Sequence, residues 1–311
     1  MKLTVILPTH NPDPWRLQRT LAGLCEQTLP LSEWETVLVN NASNYFPDEG
    51  FFAKHAPRSN FTIVNEPRLG LTSARQRGFK IARGELAVLV DDDNVLAPNY
   101  LEQVIALFLM YAHVGALGGK SIAEFSLPPP TWAAEFFPLL ALRDLGPETV
   151  IAESLRPTGA NANTYPSCAP IGAGMALRRS AWQAWFKASD DNSTKLSDRR
   201  GGELSSAGDN DIVFCAMRAG HAVGYFPSLA LTHLIPAARL EPAYLARLNH
   251  GIQKSWMQVL LKHDACPWPT LPKWTVPLRK MKTWHTHRAW QGHPERIRWH
   301  GACGHFEGRV S

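Results

Sequence analysis

The chain has no apolar run long enough to cross a bilayer. Its longest, "VIALFLMYA" (104–112), falls far short of the ~20 residues a spanning helix needs. The opening residues "MKLTVILPTH" carry neither the cationic lead nor the small-residue cleavage site of a secretory leader. Five cysteines are scattered without a CxxC pair, which argues against a disulfide framework and for a reducing compartment. Cys303 and His305 in "ACGHFEG" have no matched second pair, so no zinc site is expected there. Repeats and low-complexity tracts are absent. Together these absences predict a cytoplasmic protein.

What is present is the composition of a globular protein, 45% apolar and 19% charged over 311 residues. Charge is unevenly spread. From Pro267 to Ser311 there are eight Lys/Arg, two Glu and no Asp, together with five Trp and five His. Such a tail can pack its rings on the main body and leave its charges in water, or touch an anionic membrane surface from the cytoplasmic side. Nucleic acid is not an expected partner.

The first 120 residues alternate short apolar runs with helical patterns. "LTVIL", "ETVLV", "FTIVNE", "ELAVLV" and "VGALGG" read as strands. Asp13-Pro14 reads as a helix start, with Leu17, Leu21 and Leu24 at helical spacing. "TSARQRGFKIARG" reads as a helix capped by Thr72 or Ser73 and ended by Gly84, and another helix is expected after Pro98. Continuously apolar strands separated by helices imply a mostly parallel sheet covered on both faces. Ligands of such sheets bind beyond the strands' carboxyl ends. "PTHNP", "NNASN" and "DDDN" each follow a strand directly, so three strand ends are expected to converge on one site. The proline-rich stretch from about Ser121 to Tyr165 reads as irregular. A helix from Arg179, then a turn, a helix ending at Gly220 and a strand follow it.

Three adjacent aspartates ending an apolar strand repel one another unless a cation intervenes. A divalent ion held by one or two of them, with phosphate oxygens and water completing its shell, removes that repulsion. A solvated acidic turn is the plainer alternative for the motif alone.

The order of "PTHNP", "NNASN", "RLGLTSARQRG", "DDDN", "GAGMALRR", "AGDND" and "LTHLIP" resembles the family 2 glycosyltransferases of the GT-A fold, over about Leu3 to His233. The segment from "GDNDIVF" through "YFPSLALTHLIPAARLEPAYLARLN" is further similar to cyanobacterial-type polysaccharide-biosynthesis members. The resemblance implies an inverting transferase that uses a nucleotide-diphosphate sugar, most readily a UDP-sugar, with Mn²⁺ or Mg²⁺, and a glycan or lipid-linked acceptor. It implies a Rossmann-like GT-A domain over 1–240, with a nucleotide-binding half at 1–119 and an acceptor-side half at 120–240. A helical, Trp-rich extension would occupy 241–311.

Residue by residue, the resemblance puts Pro8, Thr9 and Asn11 at the nucleotide. Asn40 falls where an aspartate usually accepts from the base, and Arg75 where an arginine reaches the base or diphosphate. Asp91 and Asp93 match the DxD pair, with Asp93 as metal ligand and Asp92 on the ribose, and His233 as a further metal or diphosphate ligand. Gly172, Ala173 and Gly174 would let backbone approach the donor sugar. Asp209 is the implied base, with Asp211 the alternative; Gly208 stands where glutamate is common. Two rival readings are a sugar-phosphate nucleotidyltransferase, which would want a glycine-rich phosphate loop that "PTHNPDPW" lacks, and a non-catalytic sugar-nucleotide- or glycan-binding homologue.

Overall fold

The computed structural model describes residues 1–158, 162–190 and 208–310. Part of the 121–165 stretch, and the turn expected before Gly208, lie outside the described residues.

In chain order the first elements are β1 (Leu3–Thr9), α1 (Pro14–Cys25), β2 (Trp34–Asn41), α2 (Glu49–His55), β3 (Phe61–Glu66) and α3 (Leu71–Ile81). Then come β4 (Leu86–Leu89), β5 (Asn94–Leu96), α4 (Tyr100–Met110), β6 (Val114–Phe125) and a 3-10 helix over Thr131–Leu140. The short strands β7 (Val150–Ala152), β8 (Arg156–Thr158), β9 (Ala162–Thr164) and β10 (Ala176–Arg178) precede α5 (Arg179–Asp190) and α6 (Gly208–Arg218). The chain continues as β11 (Ala222–Ile235), α7 (Pro242–Lys262), α8 (Val276–Thr286) and α9 (His293–Gly308).

The nine-stranded sheet runs β3-β2-β1-β4-β10-β6-β11-β5, with β7 pairing β11 off this path. β3, β2, β1 and β4 are parallel, as are β6 and β11, whereas β10, β5 and β7 are antiparallel insertions. β8 and β9 form a separate hairpin. The strand period of two divides the core cleanly. Leu3, Val5, Leu7, Val88 and Val90 face one layer with Leu17, Leu21, Leu24, Leu101 and Val104 of α1 and α4. Ile6, Ala87 and Leu89 face the other, against Phe79 of α3, Trp182 and Trp185 of α5, and Ile212 and Val213 of α6. Each buried Leu, Ile or Val side chain contributes about 1.5–3 kcal/mol.

α1 starts as its sequence indicates: the Asp13 carboxylate accepts from Arg16 N at 3.0 Å, with Pro14 in the first turn. α3 corrects the sequence reading. Its cap is Gly70 at φ +141, and Asn41 Oδ1 accepts from Gly70 N at 2.8 Å, so the start is fixed from the neighbouring strand rather than by Thr72 or Ser73. The segment read as irregular from Ser121 begins as the second half of β6.

The C-terminal segment is mostly helical, and α7 is joined to the rest by apolar packing. Leu245, Ala246 and Leu248 share a cluster with Phe136 and Leu140 of the 3-10 helix and Ile235 of β11. Met257, Val259 and Leu260 cluster with Phe214 of α6. No helix among the described residues is long and apolar enough to cross a membrane.

Candidate active site

A cavity of about 270 Å³ opens beyond the carboxyl ends of β1, β2 and β4. Pro8, Thr9, His10, Asn41, Asp91, Asp92 and Asp93 line it from the sheet side. Leu139, Leu140, Ala141, His233, Arg239, Tyr244 and Leu248 line it from the other. The three strand ends singled out in the sequence do converge. The 3-10 segment and α7 complete the wall with apolar side chains.

The acidic triplet is split by its partners. Asp93 is buried: Arg239 Nη2 donates to its Oδ2 at 2.7 Å, His233 Nε2 lies 3.3 Å from Oδ1, and Arg16 Nη1 lies 3.9 Å from Oδ2. Burial alone would raise its pKa, but Arg239, His233 and Arg16 hold it well below the usual carboxylate range. β5 creates this pairing. It runs antiparallel to β11 with Asn94 opposite His233, and Leu234 N donates to Asp93 O at 2.9 Å, which fixes the histidine beside the aspartate. Asp92 accepts from Thr9 Oγ1, the last residue of β1. Burial and the neighbouring Asp93 charge push Asp92 up to about 7. Asp91 is a third exposed, with Arg75 Nη2 at 3.9 Å from its Oδ1.

Arg75, buried in α3, reaches from Asp91 to the start of α6, where its Nη1 donates to Asp209 Oδ1. Asp209 does not line the cavity, and this guanidinium ties it to the aspartate triplet. The loop before β10 packs on the same carboxylate: a Cβ on Gly172 would come 2.2 Å from Asp209 Oδ2, so a side chain there would displace the carboxylate. Gly174, at φ +74, donates from N to Leu89 O at 3.0 Å and accepts at O from the Tyr100 hydroxyl at 2.6 Å. With Ala173 buried between them, these residues run alongside the end of β4. The structure thus brings Arg75, Asp91, Asp209 and Gly172–Gly174 together, although they come from four separate segments.

Three expected site residues are not brought in. Asn40 lines no part of the cavity; its Nδ2 donates to Asn65 Oδ1 at 3.1 Å and its Oδ1 accepts from Ser43 N at 3.3 Å. Asn41 lines the cavity instead, with its Nδ2 donating to the carbonyls of Glu66 and Arg68 and its Oδ1 accepting from Gly70 N. Asn11 is exposed, at φ +49, and its Oδ1 accepts from Asn44 N and Tyr45 N, shaping the loop after β2. Asp211 is buried elsewhere. It holds Trp185 Nε1 at 2.9 Å, Lys262 Nζ at 2.8 Å and His263 Nε2 at 2.7 Å, a set that locks α6 to α5 and to the end of α7. Burial would raise its pKa, but the His263 and Lys262 hydrogen bonds keep it low. A carboxylate so saturated has the bonding of a structural anchor.

The sequence reading missed Arg16, Arg239, Tyr244 and the Leu139–Ala141 wall. Arg239 had one signal, as the first cation after "LTHLIP"; Arg16 had its place one turn into a capped helix. The wall residues had none.

Among the described residues, one trio of His, Cys, Asp or Glu has its ligand atoms within 4.8 Å of one another: Asp211, Cys215 and His263. The Lys262 ammonium already neutralises it. Asp91, Asp93 and His233 do not meet that spacing, though the two carboxylates are donors that suit Mg²⁺ or Mn²⁺. His233 Nδ1 is a buried nitrogen with no hydrogen-bond partner, consistent with a site whose polar complement is incomplete.

An α/β sheet with a polar crevice at its carboxyl edge, an acidic strand end and a carboxylate at a helix start defines a nucleotide-binding transferase type of site. Residues 4–185 match the model of glycosyl transferase family 2, and the chain belongs to that family. The succinoglycan biosynthesis protein ExoW of Rhizobium meliloti (strain 1021) is 29% identical over 103 residues, 32% of each chain. A validoxylamine A glucosyltransferase of Streptomyces hygroscopicus subsp. limoneus is 29% identical over 122 residues, 39% of this chain and 25% of that one. The chain thus spans about a third or less of these relatives. The crystal structure of S. aureus TarS 1-349 matches 99% of this chain and 90% of its own, at 15% identity and TM-score 0.50. That structure in complex with UDP-GlcNAc gives TM-score 0.51. These last two likenesses establish the fold: the sheet is of the GT-A type.

Proposed function

We propose that the protein transfers a sugar, with inversion, from a nucleoside-diphosphate donor, a UDP-sugar, to a hydroxyl of a glycan or lipid-linked acceptor in polysaccharide biosynthesis. The observation that carries this reading is the Asp91–Arg75–Asp209 chain, which ties a carboxylate at a helix start to the acidic end of β4. The family and the UDP-GlcNAc complex of the TarS fold neighbour support the donor class, and ExoW's place in succinoglycan biosynthesis supports the biosynthetic setting.

Asp209 is the base. It accepts the proton of the acceptor hydroxyl as that oxygen attacks the anomeric carbon, and attack opposite the leaving group inverts the centre. In the free protein the Arg75 guanidinium pairs with this base. A donor diphosphate beside Asp91 competes for that guanidinium, which frees the Asp209 carboxylate and places positive charge at the departing phosphate. Gly172 sets the carboxylate's position from below. Pro8, Thr9 and Asp92 hold the nucleoside at the end of β1. Asp91, Asp93 and His233 would hold Mn²⁺ or Mg²⁺, which when bound neutralises diphosphate charge. Arg239 and His233 keep Asp93 ionised before then.

The test is a screen of nucleotide-sugars for release of free nucleoside diphosphate, with Mn²⁺, Mg²⁺ or chelator. EDTA-sensitive release from one donor, stimulated by an acceptor glycan, is the expected result. Donor binding without turnover in every combination would favour a non-catalytic sugar-nucleotide-binding role instead.

A further inference from the structure

α8 is amphipathic the wrong way round for a helix on a protein surface. Its inner face packs on α9: Val276 is buried, Lys280 pairs with Glu307, and Trp284 meets Trp299 edge-on with centroids 4.7 Å apart. Its outer face should be polar. Instead Trp274, in the 3-10 turn that runs directly into α8, is 74% exposed, Leu278 57% and Met281 61%. These three recur at i, i+4 and i+7 and so form one stripe. Trp290, just past the helix, is 57% exposed. Lys273, Arg279, Lys282 and Arg288 are exposed around the stripe, and no acidic residue occurs between Pro267 and Pro294.

We infer that the outer face of α8 docks on an anionic lipid bilayer surface, inserting Trp274, Leu278 and Met281 at headgroup depth with Lys273, Arg279 and Lys282 against lipid phosphates. Charge decides the occupant. A second copy of the chain would set the same basic residues against themselves, which like-charge repulsion opposes. An acidic bilayer supplies both an apolar layer for the stripe and negative charge for its rim, and tryptophan favours that boundary. The inference stands apart from the sugar-transfer reading, because none of these residues lines the cavity.

The test is flotation of the full chain with phosphatidylcholine vesicles, with and without phosphatidylglycerol. The protein is expected to float with the anionic vesicles and to stay behind with neutral ones. Replacing Lys273, Arg279 and Lys282 together by Gln should lower the partition coefficient on the order of 100-fold. A Trp274→Ser, Leu278→Ser, Met281→Ser variant should lose flotation while its circular-dichroism melt and nucleotide release stay as in the parent. Equal flotation with neutral vesicles, no flotation at all, or undiminished flotation of both variants would overturn the proposal. So would a concentration-dependent dimer, or retention on duplex DNA, abolished by the same substitutions.

Discussion

Asp209 and Asp211 stand two residues apart in the first turn of α6, and their surroundings differ. The Asp209 side chain is 19% exposed and has one cationic partner, Arg75; the Asp211 side chain is 6% exposed and has three donors, from α5 and from the end of α7. The same carboxylate at the same helix end is a candidate base where its partner can be drawn away by an incoming anion. Where every lone pair is committed, it is a rivet. Residue type and helix position do not separate the two roles; the surrounding elements do.

The contrast breaks most sharply under Asp209→Asn. Turnover should fall about 10³-fold, with donor binding and the thermal melt nearly unchanged, read from nucleotide release and from titration with the donor. Near-normal turnover would remove Asp209 as the base. Asp211→Ala should do the converse. It strands the Lys262 ammonium and should cost about 3 kcal/mol in a urea melt, with turnover per folded molecule nearly kept. Gly172→Ala tests placement alone: the new methyl displaces the Asp209 carboxylate and should lower kcat about 100-fold with KM for the donor little changed.

The smallest effect is in acid. Asp211 is held low in the folded state, so between the ordinary aspartate pKa of about 4 and its folded value the unfolded chain binds more protons. Its contribution is therefore complete above about pH 5 and lost as pH falls through the folded pKa. Wild type should lose that increment in acid urea melts, and Asp211→Asn should show a correspondingly flatter profile over the same range.

Much of this architecture is legible in the sequence, and for stated reasons. β1 to β4 are long or strongly apolar, and the Asp13-Pro14 start of α1 is a local signal. β5 and β10, three residues each, are strands only because distant partners pair with them, and nothing in "NVL" or "ALR" announces that. Asn40 and Asn41 show the limit at the site. Successive strand residues point to opposite faces, so choosing between them requires knowing which face meets the crevice. Asp209 is singled out by the ordered motifs and Arg75 as a reach toward the base or diphosphate, but nothing in the sequence pairs the two. Arg239 was missed because its role depends on β11 and the following turn lying against β5.

α7 has a mechanical consequence. Near its start Tyr244 and Leu248 form part of the cavity wall, and at its end Lys262, with His263 just beyond, grips the helix that carries Asp209. Over 21 residues it is a strut about 30 Å long. The cavity wall and the helix that carries Asp209 are therefore joined through one rigid rod. A chain stopped at Leu240 would lose more than an appendage: the first turn of α6 would be left without its Lys262 and His263 brace.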